Sequence, residues 1–141
     1  MPGAPQTLTL VAEAGSLDLA TEFARKGARE ASLPEQRIGE LDLLIEEILI
    51  NLSLHAYPDG SPGNFTITYS VPERGELRIE FADQGREFDP LMAVTPDLTA
   101  NLSGRPVGGL GIFLIKSFAN SLTYRREAGW NRLEFGISAG S

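Results

Sequence analysis

Residues 43–57 read LLIEEILINLSLHAY, an apolar stretch with Glu46, Glu47, Asn51 and His55 set into it. Wound as a helix at about 100° per residue, Glu47 and Asn51 stack one turn above the other. They lie between an apolar stripe through Ile38, Leu41, Ile45, Ile48 and Leu52 and a second arc of Leu43, Ile50 and Leu54. Such a pair is either a partly exposed polar edge or a strip that meets a ligand. In the second case the amide oxygen of Asn51 is a hard donor suited to Mg²⁺, which keeps several waters and takes few protein ligands beside phosphate oxygens. The Glu47 carboxylate could take the proton of a water or hydroxyl attacking a γ-phosphate. Glu46 points to another face with Asp42 and Ser53 and reads as solvated. His55, the only histidine, reads as structural, favoured by the negative end of the helix dipole.

Two further groups carry chemistry. Asp83-x-Gly85 follows an alternating segment, and such a string is an ordinary turn in many proteins. An ionised Asp accepts hydrogen bonds only, however, so it complements the exocyclic amino group of adenine. Gly85, without a side chain, would let the base or a bridging water lie against the backbone. The string VGGLGIFLI, residues 107–115, places Gly108, Gly109 and Gly111 before an apolar run. Small residues at a helix start leave N–H groups and a positive dipole end facing outward, which suits phosphate. No Gly-Lys-Ser/Thr follows, so this is not a Walker loop.

The elements that must position these residues follow from period and punctuation. Leu8 to Ala12 alternates weakly and reads as a first strand. Ser16 is a candidate N-cap for a helix to about Ala31, with Leu19, Phe23 and Ala20 inward. Pro34 opens the long helix, which ends near His55. The run Tyr57 to Asn64 is dense in turn formers and reads as a loop. Phe65 to Val71 and Leu77 to Phe81 alternate and are joined by PERG, a hairpin. Pro90 to Val107 lacks period and reads as a lid. The glycine run opens a last helix, followed by strands over Ser121 to Arg126 and Arg132 to Ile137 that turn at Ala128-Gly129. Strands succeeding one another without helical crossovers indicate an α+β fold: a two-layer α/β sandwich with a mixed, mostly antiparallel sheet and helices on one face.

Composition bounds the partners. The chain has 141 residues, one domain's length, with a core at about 8–137 and no internal boundary. A net charge of −7 argues against nucleic acid or an anionic membrane as the main partner. Cysteine is absent, which excludes disulfides and thiolate metal sites and suits a reducing compartment. No run approaches the ~18 apolar residues of a membrane span, so a cytoplasmic location is expected.

Taken in order, E-x-x-x-N on a helix, D-x-G after a strand and GGLG before a helix resemble the nucleotide-binding boxes of the GHKL superfamily, the histidine kinase-like ATPases. The strings EEILINLSLHAY, FADQGREFDP and GGLGIFLIKSFANSLTYRREAGWNRLEF are similar to the bacterial anti-sigma factor serine/threonine kinases, and the resemblance runs from about Leu8 to Phe135. It implies ATP with Mg²⁺, Asn51 as metal ligand, Glu47 as catalytic base, Asp83 on the adenine amino group and Gly85 shaping its pocket. Gly108, Gly109 and Gly111 would cradle the phosphates beneath a lid at about 90–107. The implied partners are a sigma factor and a STAS-domain anti-anti-sigma antagonist phosphorylated on Ser or Thr. Two other functions remain open, a nucleotide-gated sequestering module without phosphotransfer and the ATP-binding half of a split histidine kinase. A homodimer is a further expectation, since a second copy could cover Leu43, Ile50 and Leu54; the first helix could equally cover them.

Overall fold

A computed structural model describes residues 4–53, 63–87 and 117–140 of the chain. In chain order it contains β1 (Gln6–Val11), a single 3-10 turn (Ala14–Ser16), α1 (Leu17–Glu30), α2 (Glu35–Asn51), β2 (Asn64–Glu73), β3 (Glu76–Asp83), β4 (Ser121–Glu127) and β5 (Trp130–Ser138). The strands form one sheet in the order β1-β2-β3-β5-β4. Each neighbouring pair is antiparallel, so the sheet among the described residues is purely so rather than mixed. The expected α+β architecture is otherwise the one observed.

Alternation explains the layers. Phe65, Ile67 and Tyr69 of β2, Leu77, Ile79 and Phe81 of β3, and Leu133, Phe135 and Ile137 of β5 are buried on one face. Both helices cover that face and share its core. The other face is polar: Thr7 and Thr68 share a 2.9 Å hydroxyl bond, and Arg132 pairs with Glu80 at 3.0 Å. Turn chemistry closes the two hairpins. Gly75 at φ +84° makes the β2–β3 turn, and Ala128 at +50° with Gly129 at +85° makes the β4–β5 turn. Pro72, which cannot donate to a ladder, falls where the β2–β3 register slips between Ser70 and Glu73.

The inward face of α1 carries Ala20 and Phe23 as expected and differs from expectation at Leu19. Its buried residues are Ala20, Ala24, Gly27 and Ala28, whereas Leu19 is 60% exposed. Phe23 is half-buried and meets the Tyr69 ring at 5.0 Å between centroids. Small residues let the helix backbone approach the sheet closely, and that selects the inward face over hydropathy. Helix α2 buries Ile38, Leu41, Ile45 and Ile48 as expected, and Leu44 and Leu49 widen the stripe. Leu52 is half-buried against the core, Ile50 is half-buried and Leu43 is 44% exposed; Leu54 lies outside the described residues. The two helices are tied by a forked pair, Arg25 Nε and Nη2 donating to the Asp42 carboxylate at 2.9 and 2.6 Å.

One tie and one groove locate α2 along the sheet. At its first turn Arg37 donates to the Ser138 carbonyl at the far end of β5 (2.9 Å), to the Phe118 carbonyl (2.9 Å) and to Asn120 Oδ1 (2.7 Å). At its last turns Leu49 and Ile50 line a shallow groove with Ala14 and Leu17, just beyond the end of β1. The register Val11–Asn64, Phe65–Asp83 and Asp83–Asn131 sets one end of the sheet, and the last turns of α2 belong to that end.

The tight α1–sheet contact predicts the effect of one methyl group. A Cβ on Gly27 would lie 2.8 Å from two Tyr69 ring carbons and 3.0 Å from Leu77 Cδ1. Ala gains helix propensity, but overpacking outweighs it, so Gly27→Ala should cost a net ~1–2 kcal/mol. Urea unfolding measures this; a midpoint at or above wild type would show that Tyr69 yields freely.

Candidate functional site

The core-facing row of β3, Leu77, Ile79 and Phe81, ends in Asp83, a carboxylate only 2% exposed. Burying it is costly unless hydrogen bonds replace water. They do: Asp83 Oδ1 accepts from the Gly85 N–H at 2.8 Å and from Asn131 Nδ2 at 3.0 Å. Gly85 is itself buried beside it, closing the Asp-x-Gly turn. Asp83 Oδ2 accepts nothing from the described residues. Burial pushes the Asp83 carboxyl above its usual range, against the opposing pull of Asn131, the Gly85 N–H and the Arg126 charge.

Asn131, Arg126 and Tyr124 were not visible as site residues in the sequence. Asn131 is the cross-strand partner of Asp83 and is 5% exposed. Its Nδ2 also donates to the Arg86 carbonyl at 2.9 Å, while its Oδ1 accepts from Tyr124 Oη at 2.6 Å and Arg126 Nη1 at 3.1 Å. Arg126 Nη1 donates in addition to the Gly85 carbonyl at 2.8 Å. The one sequence signal was Asn131 itself, a polar residue in phase with the apolar row Leu133, Phe135 and Ile137.

The other wall comes from α2. Glu47 and Asn51 fall one turn apart near its end, as the spacing predicts. Asn51 is 8% exposed, and its side chain makes no hydrogen bond to another described residue. The amide is not sealed from solvent, so the position leaves it open to a group that binds there. Glu47 is half-buried and Glu46 exposed. Burial, then the neighbouring charge of Glu46, raises the Glu47 carboxyl above its ordinary value. After Asn51 the backbone widens into a π-type turn at Leu52 and Ser53. The expected continuation of the helix to His55 lies outside the described residues, as do Gly108, Gly109 and Gly111 and the segment 90–107.

Comparison with known proteins decides the family. A model described as the histidine kinase-like ATPase domain matches residues 10–137. The chain belongs to that family. The matched range contains Glu47, Asn51, Asp83, Gly85, the three glycines and Asn131. Among relatives, a serine/threonine-protein kinase, BtrW of Bordetella bronchiseptica, is 36% identical over 93 residues, covering 66% of this chain and 65% of that protein. The serine-protein kinase RsbW of Staphylococcus aureus is 29% identical over 118 residues, covering 80% of this chain and 70% of that protein. This chain thus spans just under two thirds of the length of BtrW. A crystal structure of RsbU and RsbW domains from Mycobacterium tuberculosis superposes with a TM-score of 0.65 over 96% of this chain and 32% of that one, at 16% identity. The histidine kinase-like fold is therefore shared well beyond sequence likeness. No described helix is long and apolar enough to cross a membrane.

Within this histidine kinase-like domain the strained charge of Asp83 makes a stability prediction. Because burial raises its folded-state value, the folded chain holds that proton more tightly than the unfolded chain. Wild-type stability should then fall as pH rises from the ordinary carboxylate range through the raised one. Asp83→Asn can keep both bonds to its Oδ1 and has no charge to bury. Thermal melts of the nucleotide-free protein should show a gain for the variant that grows with pH across that window and is flat above it. A variant less stable than wild type at neutral pH would contradict the assignment.

Proposed function

We propose that the chain is an ATP-dependent protein serine/threonine kinase that acts as an anti-sigma factor by partner switching. The observation that carries the reading is a buried, acceptor-only carboxylate with one oxygen unused among the described residues, at the sheet end to which the Glu47–Asn51 strip also belongs. The residues present fit the nucleotide: Asp83 Oδ2 would accept from the adenine amino group, Gly85 would leave room for the base, and the Asn51 amide oxygen would hold Mg²⁺. Gly108, Gly109 and Gly111 would cradle the phosphates, with 90–107 as the lid the family resemblance implies. Bound Mg²⁺ supplies charge stabilisation to the phosphoryl oxygens.

Glu47 then has one task. It takes the proton from a Ser or Thr hydroxyl of the antagonist as that oxygen bonds to the γ-phosphorus and the bond to the ADP oxygen breaks. Its raised affinity for protons, from burial and Glu46, suits a base working near neutral pH. The kinase names of BtrW and RsbW support transfer to protein, and a STAS-type anti-anti-sigma factor is the acceptor proposed here. The chain works as a single domain, and a homodimer through the α2 arc is consistent with the exposure of Leu43.

Two measurements test this. Calorimetry should find ATP binding that depends on Mg²⁺ and loses that dependence in Asn51→Ala; a wild type that ignores millimolar ATP with Mg²⁺ would remove the proposal. With radiolabelled ATP and STAS-domain proteins of the source genome, Glu47→Gln should bind ATP normally yet transfer ~10²–10⁴-fold more slowly. Wild-type transfer should climb with pH through an ionisation above the ordinary carboxylate range. Glu46→Gln should leave the plateau rate unchanged and move that limb to lower pH, since it removes the charge that raises Glu47. Equal transfer by wild type and Glu47→Gln would exclude Glu47 as the base. ATP-dependent sigma-factor binding without transfer would favour a sequestering module.

A further inference from the structure

We infer that Asn131, held by Arg126 and Tyr124, is a positioning residue that sets the purine selectivity of the pocket by fixing which hydrogen-bonding sense residue 83 presents to the base. The inference rests on the proposed placement of adenine at Asp83.

The polarity of the network leaves one arrangement. Arg126 can only donate, so the Asn131 atom facing it at 3.1 Å must be the amide oxygen. The Arg86 carbonyl and the Asp83 carboxylate can only accept, so the atom facing them at 2.9 and 3.0 Å must be the amide nitrogen. Rotating the Asn131 amide by half a turn would set like against like at all three contacts. Its two N–H groups are both spent, one on Arg86 and one on Asp83. The Gly85 N–H, also donor-only, meets the same Asp83 oxygen at 2.8 Å. Two fixed donors therefore converge on Asp83 Oδ1, and Oδ2 is the atom left to the base. In wild type that atom accepts, which fits a 6-amino purine and repels a 6-oxo purine.

The same lock has a consequence for an amide at this position. In Asp83→Asn the side-chain oxygen must stay against the two donors, so the amide nitrogen takes the place of Oδ2. A free amide would turn to keep accepting from adenine; this one cannot. The pocket group changes from acceptor to donor, and the preferred base should change from 6-amino to 6-oxo. Asn131→Leu keeps the bulk of the side chain and removes one of the two donors, which loosens the lock.

The test is the affinity ratio of ATP to inosine triphosphate, both with Mg²⁺, by calorimetry. Wild type should prefer ATP. Asp83→Asn should reverse the preference, moving the ratio by roughly 10²-fold or more, since each mismatched base leaves a buried polar group unpaired. The double variant Asp83→Asn/Asn131→Leu should recover most of the ratio toward unity, with circular dichroism confirming that it is folded. Asp83→Asn that weakens ATP without moving the ratio overturns the inference while leaving the adenine site intact. An equal reversal in single and double variants removes Asn131 from the lock and leaves it to Gly85. A wild type that binds both nucleotides equally, or neither, fails at the adenine reading itself, and the inference falls with it. Because Asp83→Asn can retain both described bonds to Oδ1, the decisive measurement does not depend on whether the double variant folds.

Discussion

One buried charge organises the end of this sheet. Asp83 stands where the apolar row of β3 would otherwise place another Phe or Ile, and it is nearly inaccessible to water. A lone carboxylate there would be expelled or neutralised. It is retained because β5, not the sequence neighbour β4, is the strand paired to β3, bringing Asn131 directly opposite. A slip of one residue in that ladder would turn Asn131 to the polar face and leave the charge with the Gly85 N–H alone. The crossover that makes β5 an inner strand is thus also what completes the site. Edge strand β4 contributes through the tight Ala128-Gly129 turn, which holds Arg126 and Tyr124 alongside Asn131.

The second wall depends on how firmly α2 is held. Its apolar stripe fixes which way the helix faces, and its two ends fix where it lies. The small-residue face of α1 lets that helix sit deep on the sheet, and the Arg25–Asp42 fork ties α2 to it. Within that frame Glu46 and Glu47 are adjacent yet differ in surroundings, since one faces solvent and the other is half-buried. The exposed carboxylate acts on its neighbour only through charge, raising the affinity of Glu47 for a proton.

Much of this was legible in the chain, and the limits have physical causes. The alternation of β2, β3 and β5 and the stripe of α2 reflect burial on one face, which period reports directly. The one-turn spacing of Glu47 and Asn51 and the tight turn from Asp83 to Gly85 were legible because these relations are local. β1 begins at Gln6 rather than Leu8, since an edge strand half open to water carries a weak apolar signal. On α1 only Leu19 departs from the expected inward face, because its hydropathy outweighs that of Ala and Gly, whereas close approach selects for small size. Asn131, Arg126 and Arg37 could not be placed. Their meaning arises from register and from contacts up to 101 residues away in sequence, which no local window contains.

Arg37 shows how such distant contacts join the two walls. Its guanidinium, 13% exposed, donates to Glu40 on its own helix, to the Phe118 carbonyl and Asn120, and to the last residue of β5. Asn120 Oδ1 accepts from the Ser138 N–H as well, so one amide oxygen links helix, strand end and the start of β4. The chain leaves the sheet after Asp83 at the site end. It re-enters at Phe118 and Asn120, at the opposite end, beneath the first turn of α2. Its return point is fixed by a donor-only group whose partners are all acceptors. That is a constraint of hydrogen-bond sense, of the same kind that orients Asn131 at the other end, and between the two the helix and the sheet have little freedom to part.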